Sequence, residues 1–550
     1  MEDRKHQDAK AVNLNALRTA IRVLMRKDPD SAQVKSLLDR ATQIRNRALH
    51  DASFCFATPL LVAVKKNEEE HVYRPISIYG TDDKIIDRLT ARYLRDSFDF
   101  CFSPSSLAFR GKLEGQNAAV THHDALRRIT GFRERHSRVY VAEADLRNFM
   151  DSISHQVVRD SLHKLTLQGR SLRPDLRIST RAIRILDAYL SSYSFSQVVL
   201  GQGLERLRKR DPIASFPWPI ETLRRMHQCD DLSKIGIPQG GALSCFLTNL
   251  VLHEADEAVE QLRKPGRPEI EYLRYCDDML ILSSDAALCE AAMTAYIDVV
   301  ERKKLPMHEP VEICVPATKG KTKSAFWDLK SKRPYLWARP ADSGVPWIQF
   351  AGYQIRHDGS VRIRSKSLKK HRKKLTEEAD KLLSIINPGK KYRDGLPVYA
   401  PGLRMDRHQI EHFFRMKLVA LSVGRRQWWQ PLPSCGDDIK PLCWAHGYRG
   451  LWQVRFDSSG LKELDRHRDR QLRRIRHCLR HLDTPKGNAK GKSTKKKKRR
   501  FYGAPFSYHG QFVQSMDQNP VPLPRPLPWI RRLRSAVAAT AKRWLKCFLD

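Results

Sequence analysis

The sequence predicts an α+β chain built from several subdomains, and three observations carry that expectation. Short β-branched and aromatic runs occur at 59–79, 138–145, 271–284 and 347–364. Longer stretches with apolar residues at helical spacing separate and follow them, notably 156–230 and 365–483. The chain has 550 residues, which at roughly 150 residues per domain is room for about three or four core-forming units.

Each element follows from its own pattern. Leu17, Ile21 and Leu24, then Val34, Leu37, Leu38 and Ile44, recur at helical spacing among Arg and Lys, so residues 1–59 are expected to form a small basic helical extension. PLLVAVKK and HVYRPISIY flank the polar NEEE, two strand-like runs about a charged turn that predict a cation-bearing hairpin. Helical spacing resumes at Ile85, Ile86, Leu89 and Tyr93. RVYVAEAD (138–145) reads as a strand ending in a carboxylate, and EYLRYCDDMLILSS (271–284) as two apolar strands joined by a tight turn at Cys276, Asp277 and Asp278. In WIQFAGYQIRHDGSVRIR (347–364), Asp358 and Gly359 are the residue types of a two-residue hairpin turn. KGNAKGKSTKKKKRR (486–500) is a solvated charge block, and the prolines at 520, 522, 524, 526 and 528 predict an extended spacer. Ile530, Leu533, Val537, Ala541, Trp544 and Phe548 fall on one face of a terminal basic helix. No internal repeat is apparent.

Charge narrows the partners. Lys and Arg total 100 against 61 Asp and Glu, a formal net charge of +39. That excess favours a polyanion, nucleic acid before an anionic membrane surface, because each phosphate neutralised releases condensed counterions. Residues 461–500 hold 8 Lys and 9 Arg against 4 acidic residues, a third of the net charge, and the rest is spread along the chain. No apolar run approaches the roughly 20 residues of a membrane span, and the polar MEDRKHQDAKAVNLNAL does not read as a secretory signal, so no membrane partner and a cytoplasmic location are expected. Eleven irregularly spaced cysteines are no disulfide framework.

Two carboxylate groups end predicted strands: Asp145, and the Asp277 and Asp278 pair. Phosphoryl transfer from a nucleoside triphosphate calls for such groups, because two Mg²⁺ ions about 3.5–4 Å apart need hard oxygen ligands on rigid backbone. An isolated Asp-Asp pair ordinarily just caps and solvates its turn. This pair is not isolated. D-L-R-N-F-M-D-S-I-S-H (Asp145 to His155), G-I-P-Q-G-G-A-L-S-C-F-L-T-N-L (Gly236 to Leu250) and R-Y-C-D-D-M-L-I-L (Arg274 to Leu282) occur in that order. R-P-I-S-I, K-I-I-D-R and F-S-P-S-S-L-A-F-R precede them; F-A-G-Y (350–353) and L-K-E-L-D-R-H-R-D-R-Q-L-R-R (461–474) follow. Together these blocks, spanning about residues 60–480, resemble reverse transcriptases, in particular the bacterial branch of group II intron, retron and phage-defence enzymes.

The resemblance implies a right-hand polymerase fold: fingers at 60–140, a palm at 141–364 with a helical insertion at about 156–230, a helical thumb at 365–483 and a basic C-terminal tail at 484–550. It implies RNA-directed DNA synthesis with two Mg²⁺ ions, an RNA template, deoxynucleoside triphosphates as substrate and DNA as product. By it, Asp145 and Asp277 ligate both metals, with Asp278 beside them and the Leu146 carbonyl as a further ligand. Arg74, with Lys65 or Lys66, neutralises the triphosphate, and Gln239 and Gly240 pack against the nucleotide. The position that in the family carries an aromatic sugar screen is Met150 here, with Phe149 before it, so sugar selection departs from the pattern. The family's lysine near the end of the palm has competing matches in Lys319, Lys321 and Lys323. No HNH-like segment follows the thumb block and the chain is longer than a retron enzyme; by elimination a phage-defence setting with a dedicated non-coding RNA is expected, and an oligomer is compatible with the sequence.

Weaker signals have ordinary explanations. Cys435, Cys443 and His446 lack a fourth zinc ligand; RRQWWQ (425–430) reads as packing before base stacking; the cationic run 495–500 as a general phosphate contact; Tyr502 and Tyr508 as packing before protein priming. Two rival functions remain, a template-independent or protein-primed terminal transferase on the same fold, and a non-catalytic RNA-binding scaffold.

Overall fold

A computed structural model of the protein describes residues 36, 39–51, 53–67, 71–111, 120–228, 230–264, 269–313, 326–386, 392–393, 396–397 and 448–482. The chain divides into two compact units, Met1–Ala351 and Gly352–Asp550.

The first unit opens with helix α1 (Ala41–His50), whose Ala41, Ile44 and Ala48 are buried at the helical spacing expected of Ile44. Strands β1 (Leu60–Asn67) and β2 (Val72–Ile78) form the antiparallel hairpin. Its register puts Leu61, Ala63, Lys65, Tyr73, Pro75 and Ser77 on one face and Leu60, Val62, Val64, Arg74, Ile76 and Ile78 on the other. The first face lies on a separate apolar cluster of the insertion around Phe195, Phe216 and Trp218. The far edge of β2 is tied as well: the Ser215 amide donates to the His71 carbonyl at 3.0 Å and the Tyr73 amide to the Ser215 carbonyl at 2.9 Å. Asp211 accepts from the Tyr73 hydroxyl at 2.8 Å and sits 2.6 Å from His71 Nδ1.

Helix α2 (Thr81–Phe98) buries Ile85, Ile86, Leu89 and Leu94. Helix α3 (His122–Arg135) is started by a capping box between Thr121 and Asp124. Strand β3 (Tyr140–Asp145) follows, then the insertion with α4 (His155–Leu172), α5 (Thr180–Ser191), a π-helical segment at Phe195–Gly203, and short helices α6 (Leu204–Arg208) and α7 (Ile220–His227). Helix α8 (Ala242–Glu260) is buried on most of its surface, its polar Asn249 and Asp256 included, and runs through the main core. Strands β4 (Ile270–Tyr275) and β5 (Asp278–Ser283), helix α9 (Ala286–Arg302), and strands β6 (Lys332–Leu336) and β7 (Trp347–Phe350) complete the unit.

The central sheet has the order β4-β5-β3-β6, antiparallel throughout. Val141, Ala142, Glu143 and Ala144 of β3 are all buried, because α9 packs over β3, β5 and β6 and β3 lies inside the sheet. A strand enclosed in this way holds its end residue in place, and here that residue is Asp145.

In the second unit, β8 (Tyr353–Arg356) pairs with β9 (Val361–Ile363). The connection differs from the two-residue turn expected: Arg356 and Ser360 pair across a three-residue loop of His357, Asp358 and Gly359, with only Gly359 left-handed, at φ +77°. Asp358 instead accepts from the Ser360 amide at 3.0 Å, which favours a right-handed turn followed by a glycine bulge over the doubly left-handed turn. Helices α10 (Ser365–Ile386) and α11 (Ser459–Leu482) pack together through Leu375, Ala379, Leu461, Leu464 and Ile475. Their outer faces expose Lys366, Lys369, Lys370 and Lys374, and Arg466, Arg470 and Arg473. The block at 425–430, Cys435, Cys443, His446, Tyr502, Tyr508 and the tail from 484 lie outside the described residues, as do Leu17 to Leu24. Among the described residues no helix is long and apolar enough to cross a membrane.

Candidate functional site

Asp145 and Asp278 face each other as a cross-strand pair at the end of β3 and β5, and Asp277 sits in the two-residue turn between β4 and β5. That turn forces Cys276 into left-handed backbone, φ +61°, which costs a side-chain-bearing residue of order 1 kcal/mol or more. Arg274 holds it there. The Arg274 side chain is fully buried, its Nε and Nη2 donate to the two oxygens of Asp256 at 2.6 Å each, and Nη1 donates to the Cys276 carbonyl at 2.8 Å. Nη2 also reaches Ser106 Oγ at 2.8 Å and Nη1 reaches Asn249 Oδ1 at 3.2 Å, so every part of the guanidinium is used.

The carboxylates repel one another. Burial, then the charge of Asp145, pushes the Asp277 carboxyl up to about 6. Asp278 is pushed up to about 8 by burial, then by Asp145, Asp277 and Glu143. Asp278 also accepts from the Ala351 amide at 3.4 Å. Glu143, two residues before Asp145, is satisfied by Lys332 Nζ at 2.5 Å and by the Tyr335 hydroxyl, so it is spent internally. Asp145 is paired too: Lys330 Nζ lies 2.6 Å from its Oδ2. Among the described residues no three acidic, His or Cys side chains converge as a ready-made cation cage. The donor set nonetheless suits a hard divalent ion: oxygen ligands on a buried strand and a pinned turn, two of them short of counter-charge, with Lys330 supplying the cation at Asp145.

Leu146 forms a bridge with Met307 whose two hydrogen bonds, Arg147 amide to Pro306 carbonyl and His308 amide to Asp145 carbonyl, leave the Leu146 carbonyl outside it. Asn148 is left-handed, φ +50°, and starts a helical turn at Phe149–Ser152. That turn buries Phe149 in the main core at 3% exposure, so Phe149 is a packing residue and not the nucleotide contact expected; Met150 is only partly buried against the same core.

Arg74 is exposed on the outer face of the β1-β2 hairpin, and its charge acts on Asp277 and Asp151. Of the two neighbouring lysines, Lys65 is corrected by the register. It pairs with Tyr73 on the face that carries Asp211, whereas a bulge between Lys65 and Asn67 re-aims Lys66, whose Nζ donates to Asn148 Oδ1 at 2.8 Å. Burial, and then the charges of Arg74 and Lys330, lower the Lys66 pKa from its ordinary value, as expected of three cations around one site.

Gln239 and Gly240 lie in the turn before α8. The Ser77 amide donates to the Gln239 carbonyl at 2.8 Å, and a Cβ on Gly240 (φ +113°) would meet the Ser77 carbonyl at 3.3 Å, so glycine is what lets the turn lie against β2. Asp87 fixes the other side by accepting from the Ala242 and Leu243 amides at 2.7 Å each. The structure thus brings together Asp145, Asp277, Asp278, Arg74, Gln239 and Gly240, and leaves out Lys65 and Phe149. Lys330, Asp151 and Arg274 were missed as site residues, and of the alternatives Lys65 and Lys66 the structure places Lys66 at the site. Lys319, Lys321 and Lys323 lie outside the described residues.

No protein-family model matches the chain, and no curated protein does. Among solved structures, a telomerase of Candida albicans in complex with a fragment of telomeric RNA aligns with 78% of this chain and 62% of its own, at 11% identity and a TM-score of 0.31. An apo telomerase of Candida tropicalis aligns with 78% of this chain and 66% of its own, at 10% identity and a TM-score of 0.34. The chain thus spans less than two thirds of each of these relatives.

Proposed function

We propose that the protein is an RNA-directed DNA polymerase acting on deoxynucleoside triphosphates. The observation that carries this is the pairing of Asp145 with Asp278 across two strands, with Asp277 in the clamped turn beside them and Arg74 and Lys66 on the hairpin that faces them. In this reading the hairpin and α2 are fingers, the central sheet is the palm, and α10 and α11 belong to the thumb.

Asp145, Asp277 and the Leu146 carbonyl are the residues that would hold Mg²⁺, with Asp278 adjacent. When bound, the ions lower the pKa of an attacking 3′-hydroxyl and take up charge on the departing pyrophosphate. Arg74 and Lys66 bind the triphosphate, which is why two cations are held close enough for one to depress the other. Gln239 lies beside the nucleotide, on a turn that Gly240 allows to pack against β2. Lys330 neutralises Asp145 before substrate arrives. The exposed Lys and Arg rows of α10 and α11, and the +39 net charge, supply sequence-independent phosphate contacts for an RNA template and its DNA product. The biological setting we favour is antiviral defence with a dedicated non-coding RNA; it rests on the sequence blocks alone.

The test is primer extension on a supplied RNA with Mg²⁺ and each deoxynucleotide omitted in turn, alongside sequencing of co-purifying nucleic acid. Product complementary to the RNA is expected. Product whose composition ignores the RNA would transfer the reading to terminal transferase, and bound RNA without any synthesis would leave a scaffold.

A further inference from the structure

The segment Ile235–Gln239 is strapped along both sides. The Gly236 amide donates to the Ile153 carbonyl and the Ile237 amide to the Met150 carbonyl, each at 2.8 Å, while the Ser77 amide donates to the Gln239 carbonyl. The Gln239 backbone is therefore fixed independently of its side chain. The side chain has its own anchor: Nε2 donates to Asp151 Oδ1 at 2.6 Å, and Asp151 is 1% exposed. An ionised carboxylate only accepts, so it decides which way the amide points, nitrogen toward Asp151 and Oε1 away from it. Burial pushes the Asp151 carboxyl up to about 7, while the Gln239 hydrogen bond and the charges of Arg74 and Lys66 work the other way, so the acceptor-only carboxylate is the form present above that pH.

We propose that Asp151 is a positioning residue for nucleotide binding: its buried carboxylate locks the Gln239 amide with Oε1 presented as an acceptor to a donor group of the incoming nucleoside triphosphate. This rests on the polymerase reading above. Asp151 itself does not touch the substrate. Without it the amide can rotate and offer N–H where the ligand also offers a donor, so that hydrogen bond is lost.

The experiment is steady-state kinetics of the full chain on an RNA template and DNA primer, for wild type, Asp151→Ala, Asp151→Asn, Gln239→Ala and the double Asp151→Ala/Gln239→Ala. Asp151→Ala is expected to raise the nucleotide KM about fivefold, the size of one lost hydrogen bond, with kcat and primer-template affinity within about twofold. Asp151→Asn can donate as well as accept, so it does not set the direction of the Gln239 amide and is expected to lose about as much as Asp151→Ala. The double variant is expected to be no worse than Gln239→Ala alone, since Asp151 acts only through that amide. Additive losses in the double variant, or a fall in kcat with KM unchanged, would overturn the proposal. If Asp151→Ala fails to fold, Asp151→Leu fills the space without an acceptor, and Asp151→Asn against Gln239→Ala still decides. Wild-type protein that makes no complementary DNA overturns the polymerase reading; wild type that does, with additive variants, overturns only the role of Asp151.

Discussion

Lys330 Nζ lies 2.6 Å from Asp145 Oδ2, so the carboxylate best placed for a divalent cation already has a monovalent one. The two compete for one oxygen. Removing the ammonium in Lys330→Ala is expected to tighten Mg²⁺ or Mn²⁺ binding about three- to fivefold by titration calorimetry, the modest size reflecting a half-exposed partner. Unchanged or weaker metal binding would show that Lys330 does not screen the site.

Asp277→Asn is expected to abolish synthesis and leave RNA affinity within about twofold in a filter-binding assay, because the carboxylate sits in the turn and the phosphate contacts lie on other elements. Synthesis at the wild-type level by this variant would falsify the catalytic assignment.

The bulge at Lys66 separates two adjacent lysines. Lys66→Ala is expected to raise the nucleotide KM several-fold, and Lys65→Ala, on the opposite face, to change it by less than about twofold. Equal effects would mean the hairpin register is not what sorts them.

Arg274→Met leaves Asp256 buried and unpaired and is expected to cost about 3–5 kcal/mol in denaturant unfolding. Adding Asp256→Leu is expected to recover much of that stability without recovering synthesis, because the Cys276 carbonyl remains unheld. Recovery of both would reduce the pair to packing.

Asp151 is pushed up to about 7, chiefly by burial, from an ordinary 3.8, and Asp87 to about 6 for the same reason. Over that window the folded state holds protons on these two groups that the unfolded chain has released, so their contribution to stability falls as pH rises from about 4 to 7. Buried histidines such as His155 and His371, held below their ordinary value, work in the opposite direction, so the expected outcome is a difference: the Tm of Asp151→Asn rises relative to wild type between pH 5 and pH 8, because the variant has no charge to bury. A variant curve parallel to wild type would contradict this origin.

Strands β3, β4 and β5, which carry Asp145, Asp277 and Asp278, were legible because each announces itself locally by a β-branched run, a tight turn or a carboxylate at the end; β6 (Lys332–Leu336), the fourth strand of the sheet, was not expected. The Arg74 hairpin was legible for the same reason. What was hidden depends on distance or on one backbone angle. Lys330 meets Asp145 across 185 residues, and no local pattern distinguishes it from its neighbours. Left-handed Asn148 turns Phe149 into the core, and the bulge exchanges Lys65 for Lys66; neither has a signature stronger than a single residue type. The glycine bulge after Asp358 shows the same limit, since Asp-Gly suits two turns and only the strand register selects between them.

The ties from Ser215 and Asp211 to His71 and Tyr73 give the β1-β2 hairpin a mechanical ground. Its far edge is closed to any further strand, and any swing that carries Arg74 must drag the 211–216 loop along or snap four hydrogen bonds at once. The insertion thereby sets the stiffness of the arm that reaches over the carboxylates, although it contributes no group to them.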